Sequence, residues 1–138
     1  MKEHHETLRI GTHRGLNMIT RAVEGVLARA GVRNGLCTVF IRHTSASLLI
    51  QENADPAVRD DLEAFLGRLV PDGDPLHTHT TEGPDDMPSH VKSALTRTSE
   101  SIPVVAARLA LGTWQGLYVW EHRVGPRERE VLVQVLGD

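Results

Sequence analysis

The strongest constraint on this chain is a helix written between two prolines, in the stretch ENADPAVRDDLEAFLGRLVP. Asp55 offers an N-cap oxygen, Pro56 takes the first helical position, where an N–H would go unpaired anyway, and Pro71 forbids continuation. Val58, Leu62, Phe65, Leu66 and Leu69 then fall on one apolar stripe. Immediately before it, LCTVFIRHTSASLLIQ (residues 36–51) is apolar and β-branched, with small polar residues at its middle. That run predicts one long strand, or two linked by a bend.

Other elements follow from the same signals. Residues 6–10 and 15–19 read as short strands joined by a polar turn. From Thr20, an N-cap candidate, Ala22, Val23, Val26, Leu27 and Ala30 keep helical spacing until Gly31. Residues 71–86 are loop by composition, and Pro88 opens a further helix through about Arg97 with His90 in its first turn. From Ile102 onward, apolar runs broken by glycine predict three or four antiparallel strands, with GPRER (125–129) as the last hairpin loop. The order predicts an α+β fold with two to three helices, in one domain over residues 1–138.

Charge limits the partners. A net charge of -3 argues against nucleic acid, which needs a clustered basic surface. The charge is uneven, with ten acidic residues against two arginines between Glu52 and Asp86, and six basic against five acidic from Met87 onward. An acidic segment facing an arginine-bearing one can hold a divalent cation near a phosphate. Cys37 is the only cysteine and sits in an apolar run, so it reads as a small buried hydrophobe. No apolar run approaches the ~20 residues of a membrane span, and the polar N-terminus lacks a signal-peptide core. A soluble cytoplasmic protein is the expectation.

Eight histidines are the main chemical resource. His4, His5 and His13 fall in an exposed N-terminal region, while His43, His77, His79, His90 and His122 lie among polar strand ends and loops. His43, His79 and His90 would suit zinc with an open fourth position, whereas Glu82, Asp85 and Asp86 would suit magnesium or manganese. In HTSAS, Ser45 and Ser47 lack a nucleophile elbow and read as hydroxyls lining a pocket or bonding to backbone, and Asn53 could donate to phosphate in the same way. GTWQG offers Trp114 as a flat apolar face and Gln115 as an amide. Alternation places Glu121 and Arg123 on one strand face, where Arg123 could clamp a phosphate or simply pair across strands.

Taken in order, HTSAS, EN-x-DP, H-x-x-EG-x-DDMPSH, GTWQG and EHR resemble the YjbQ-like family, also called the secondary thiamine-phosphate synthase family, over nearly the whole chain. The resemblance implies a compact α+β domain with a mixed-sheet or barrel-like core that assembles as a homotrimer, with a polar site near subunit boundaries. It implies weak thiamine-phosphate synthase activity, joining a pyrimidine methyl diphosphate to a thiazole phosphate and releasing pyrophosphate. Carried over by motif, the site residues are His43, Ser45, Ser47, Glu52, Asn53, Asp55, His79, Glu82, Asp85, Asp86, His90, Trp114, Gln115, Glu121, His122 and Arg123. His77 matches no family position. Arg97 and Ala107 stand where the family tends to have glycine, both at turns.

The expected roles follow from the reaction, whose difficulty is ionising the bond to diphosphate. A divalent metal, zinc or magnesium, on His43, His79 and His90, with Asp86 next in line, would work with Arg123 to stabilise the leaving pyrophosphate. Glu52, Asp85, Asp86 and Glu121 are the catalytic carboxylates, with Glu121 or Asp85 handling protons. Ser45, Ser47, Asn53, Trp114, Gln115 and Arg123 bind substrate and phosphate. The alternatives are a metal-dependent phosphohydrolase or lyase on another small phosphate ester, and a non-catalytic trimeric module that binds an anionic metabolite.

Overall fold

Eleven elements alternate in the computed structural model, which describes all 138 residues. They are β1 (Lys2–Thr12), β2 (Gly15–Met18), α1 (Thr20–Ala30), β3 (Gly35–Ile41), β4 (Ala46–Glu52), α2 (Pro56–Leu69), α3 (Asp86–Leu95), β5 (Ser99–Val105), β6 (Arg108–Leu109), β7 (Gln115–Glu121) and β8 (Arg127–Gly137). One sheet runs β1-β8-β3-β5-β6 and the other β2-β7-β4. Every ladder is antiparallel, so barrel-like rather than mixed describes the core. The sheet curls into a half-barrel, and the Leu48 N–H donating to Arg97 O ties the two sheets together at 2.8 Å.

Alternation fills the interior. Val131, Val133 and Val135 of β8 face Cys37, Val39 and Ile41 of β3, with Ala46, Leu48, Leu117 and Val119 from the second sheet. Val23, Val26 and Leu27 press one side of α1 onto this cluster, and Gly31 ends the helix in a left-handed conformation at φ 65°. Thr20 lies inside α1 rather than capping it, and its Oγ1 accepts the Leu117 N–H at 2.9 Å. Gly35 and Gly137 pair across β3 and β8, and a Cβ on either would overlap the opposing backbone.

The run 36–51 divides at residues 42–45, because its halves belong to different sheets. β1 is longer than its apolar pattern predicts, since its register with β8 continues to Lys2, and His4 and His5 are strand residues. Asp55 caps α2 as expected, its Oδ1 accepting the Ala57 N–H at 2.9 Å. Only Leu66 of the α2 stripe is buried, while Phe65 and Leu69 remain 58% and 59% exposed. α3 begins two residues before Pro88, with Asp85 at its N-cap. Residues 122–126 form no hairpin; they carry the chain from β7 in one sheet to β8 in the other, and Arg127–Arg129 already belong to β8. No helix is long and apolar enough to cross a membrane.

Candidate functional site

Helical spacing gives α3 two polar stripes. Asp85, Ser89 and Lys92 fall on one, and Asp86, His90 and Ser93 on the other. Ser93 Oγ donates to Ala46 O at 3.1 Å, and a His90 Nδ1–H reaches Thr44 O at 2.9 Å, so the second stripe is docked on the start of β4. That contact fixes the His90 tautomer and turns Nε2 toward Asp86 Oδ2, 3.2 Å away. From the loop, His79 Nε2 reaches the same oxygen at 2.6 Å. A ring nitrogen facing a carboxylate oxygen must carry a proton or share a cation with it.

The donor atoms of His79, Asp86 and His90 all lie within 4.8 Å of one another. Two imidazole nitrogens and one carboxylate oxygen suit zinc better than magnesium, which prefers oxygen throughout. The His90 Nδ1–H, held by Thr44 O, fixes the ring from behind as is common where a histidine binds metal. Asp86 is only 2% exposed and stands between two open clefts. One, of about 370 Å³, is walled by His77, His79 and residues of the loop before α3; the other, of about 240 Å³, by His43, Thr44 and His90.

Arg123 holds the acidic turn in place. Its Nε donates to Asp85 Oδ2 at 3.0 Å, its Nη2 to Glu82 O at 2.8 Å, and its Nη1 lies 3.1 Å from Asp86 Oδ1. The Val124 N–H adds a 3.0 Å bond to Asp85 Oδ2. Burial raises the pKa of both aspartates, but Arg123 and Val124 at Asp85, and His79 and Arg123 at Asp86, outweigh it and hold both below the usual range. With every nitrogen of the guanidinium engaged, Arg123 positions carboxylates rather than clamping a phosphate.

Glu121 pairs with a different arginine from the one its strand suggests. Its two oxygens accept Arg129 Nε at 2.7 Å, Arg129 Nη2 at 2.6 Å, Thr12 Oγ1 at 2.7 Å and the Arg123 N–H at 3.0 Å. Burial raises its pKa and these donors more than reverse the effect, so Glu121 is a saturated buried carboxylate and not a poised base. Arg129 also donates to Ser45 Oγ at 3.0 Å. Ser47 Oγ lies 2.9 Å from His122 Nε2, both fully buried, which removes Ser47 from contact with substrate. Burial and the Lys92 charge push His122 down to about 3.

His43 does not join the metal group. Its Nε2 accepts the Glu130 N–H at 2.7 Å, which uses the lone pair a metal would need. Its pKa is lowered by burial and by Arg129. Asp86 takes the third place in the donor set, as its rank among the sequence candidates allowed. Glu52, Asn53, Trp114 and Gln115 gather elsewhere. Asn53 Nδ2 donates to Thr113 O at 3.0 Å, Gln115 Oε1 accepts the Gly112 N–H at 2.8 Å, and the Tyr118 hydroxyl donates to Glu52 O at 2.7 Å. Trp114 is 64% exposed. Glu52 pairs with Gln115 at one end of the β4–β7 ladder and Ala46 with Glu121 at the other. At about 3.3 Å per residue, six steps separate the two groups by roughly 20 Å.

Comparison with known proteins agrees with this arrangement of motifs. The model of the family described as UPF0047 protein YjbQ-like matches residues 4–138. The chain belongs to the YjbQ-like UPF0047 family. UPF0047 protein sll1880 of Synechocystis is 54% identical over 138 residues, covering 99% of this chain and 94% of that protein. UPF0047 protein YjbQ of Escherichia coli O157:H7 is 42% identical over 126 residues, 91% of each chain. Among solved structures, the hypothetical protein APE1520 of Aeropyrum pernix is 33% identical with a TM-score of 0.84, covering 96% of this chain and 99% of that one.

Three residues with structural weight escaped the motif reading of this UPF0047 chain. Arg129 lies in phase with Val131, Val133 and Val135, and Thr12 in phase with Leu8 and Ile10, so strand alternation carried the signal for both. Lys92 follows Asp85 and Ser89 on its helical stripe, and it is 2% exposed.

Proposed function

We propose that this UPF0047 protein is a metal-assisted enzyme acting on a small phosphorylated metabolite, with thiamine-phosphate synthase-type transfer as its leading reaction. The convergence of His79 Nε2, His90 Nε2 and Asp86 Oδ2, with His90 pinned through Thr44, carries the reading. A zinc-like cation on those atoms would supply positive charge where a phosphate leaving group accumulates negative charge. The chain's own contribution is orientation. Arg123 and the Val124 N–H keep Asp85 and Asp86 ionised and aimed, and Arg129 with Glu121 keeps the end of β7 rigid. Neither aspartate is a strong base, which suits a transfer in which the thiazole nitrogen already holds its attacking lone pair.

A homotrimer fits the separation within one chain. The Trp114–Gln115 end of β7 could complete the histidine site only of a neighbouring copy, which would place substrate at a subunit boundary. A cytoplasmic setting fits the single cysteine, Cys37, which is buried and unpaired. Supplying both substrates to protein stripped with chelator and reloaded with Zn²⁺ or Mg²⁺ tests the reading. Thiamine phosphate should form by mass only with metal, and Asp86→Asn or His90→Ala should abolish it; no product at any enzyme concentration would exclude the transfer. The same roughly 20 Å separation favours a second reading, hydrolysis or elimination of one phosphate ester by the histidine site alone. Faster turnover of such an ester than of the thiamine precursors would decide for it.

A further inference from the structure

The other stripe of α3 leads to a different cleft, of about 250 Å³, lined by Arg14, Glu63, Gly67, Val70, Asp72 and Lys92. Two of its charges are matched to each other. Arg14 Nη1 and Nη2 donate to the two oxygens of Asp72 at 2.9 and 2.8 Å. Glu63 Oε2 accepts the neutral Trp120 Nε1–H at 2.6 Å and makes no ion pair. Two donors are left over. Arg14 Nε is buried without a partner, and the Lys92 ammonium, the cleft-facing end of a side chain on a residue only 2% exposed, makes no hydrogen bond or ion pair within the chain. Lys92 lines the cleft beside Arg14, Asp72 and Glu63, whose charges act on it together with that of Asp85.

An unpaired buried cation is expensive, and a native structure normally supplies its counter-charge. Arg123 and Arg129 are both engaged by carboxylates, which leaves Lys92 as the unmatched cation of the polar interior. The chain has only two lysines against thirteen arginines, and one of the two places a compact three-donor ammonium at this buried position. We propose that the Lys92 cleft is an oxyanion-binding site, taking the phosphate or carboxylate group of a small metabolite with Lys92 and Arg14 Nε as its donors. The site uses residues distinct from the histidine cluster and stands whether or not that cluster holds a metal.

The two-lysine composition makes the test direct. Protein grown with isotope-labelled lysine gives separate NMR signals for Lys2 and Lys92, and titration is done in chelator with inorganic phosphate, pyrophosphate or acetate. The Lys92 side-chain signals should shift and saturate while those of Lys2, exposed and bonded to Gly31 O, stay in place. Saturation at lower phosphate than acetate assigns a phosphate ester, and the reverse order a carboxylate. Lys92→Met should weaken that binding about tenfold or more, the usual loss for a charge-assisted bond. Lys92 signals unmoved by all three anions, or moving with Lys2 without saturation, would overturn the assignment, and this wild-type readout decides even where Lys92→Met does not fold.

Discussion

Glu121 and Arg129 meet through two short hydrogen bonds in a place neither could occupy alone. Glu121→Gln keeps the shape but strands the buried Arg129 charge, so chemical denaturation should show a loss of about 3–5 kcal/mol. His122 sets a pH response nearby. It titrates at about 3 in the folded chain against an ordinary 6.5, so between those values the unfolded chain binds the extra proton. Stability therefore rises with pH through that window and falls on acidification, by up to ~1.4 kcal/mol per pH unit. The lowered carboxylates Asp85, Asp86 and Glu121 begin to add their own losses only below their ordinary values of 3.8 and 4.5. Urea titrations from pH 6.5 down to about 5 thus report the lowered histidines, His122 together with His43, and His122→Gln should reduce the slope there to the share that His43 leaves.

At the scale of elements, the β5–β6 hairpin carries a local conflict. Val105 pairs with Arg108 across a two-residue turn, and Ala106 and Ala107 both adopt left-handed conformations, at φ 52° and 64°. Such turns favour Asn and Gly, and a Cβ in that region costs about 1–2 kcal/mol. Ala107→Gly should raise stability by about 1 kcal/mol in thermal or urea melts. The glycine expected at this position was thus readable as a matter of backbone shape. α2 was equally readable, because Asp55, Pro56 and Pro71 act within a few residues of themselves. His43 was not, since its nitrogen is taken by the Glu130 N–H, a contact created by strand order in the sheet. The acidic turn was legible as a cluster of carboxylates beside histidines, but its clamp was not, because Arg123 reaches it only when residues 122–126 cross between sheets.

Across the whole molecule, apolar side chains outside the core mark what one copy leaves uncovered. Phe65 and Leu69 on α2, Leu76 in the following loop, Leu95 at the end of α3 and Trp114 before β7 are all more than half exposed. The stripe on α2 was correctly legible as apolar, but periodicity says nothing about whether its cover comes from the same chain. A trimer of the kind proposed above would draw its contact surface from among these residues. Light scattering should give three times the 15.2 kDa chain mass, and Phe65→Ser with Leu69→Ser should shift it toward one. A monomer for the unmodified chain would remove the shared-site model and leave the histidine cluster to act alone.

β8 lies between β1 and β3, so a strand made late is the one that joins β1 to the rest of its sheet. On the ribosome, β1 stays without its ladder until β8 has emerged. Arg129, which locks Glu121, and Arg123, which grips the acidic turn, arrive in the same final stretch. The acidic turn is therefore braced only after β7 and the crossing that follows it have been made, and a chain cut short before Arg123 lacks the clamp on Asp85 and Asp86.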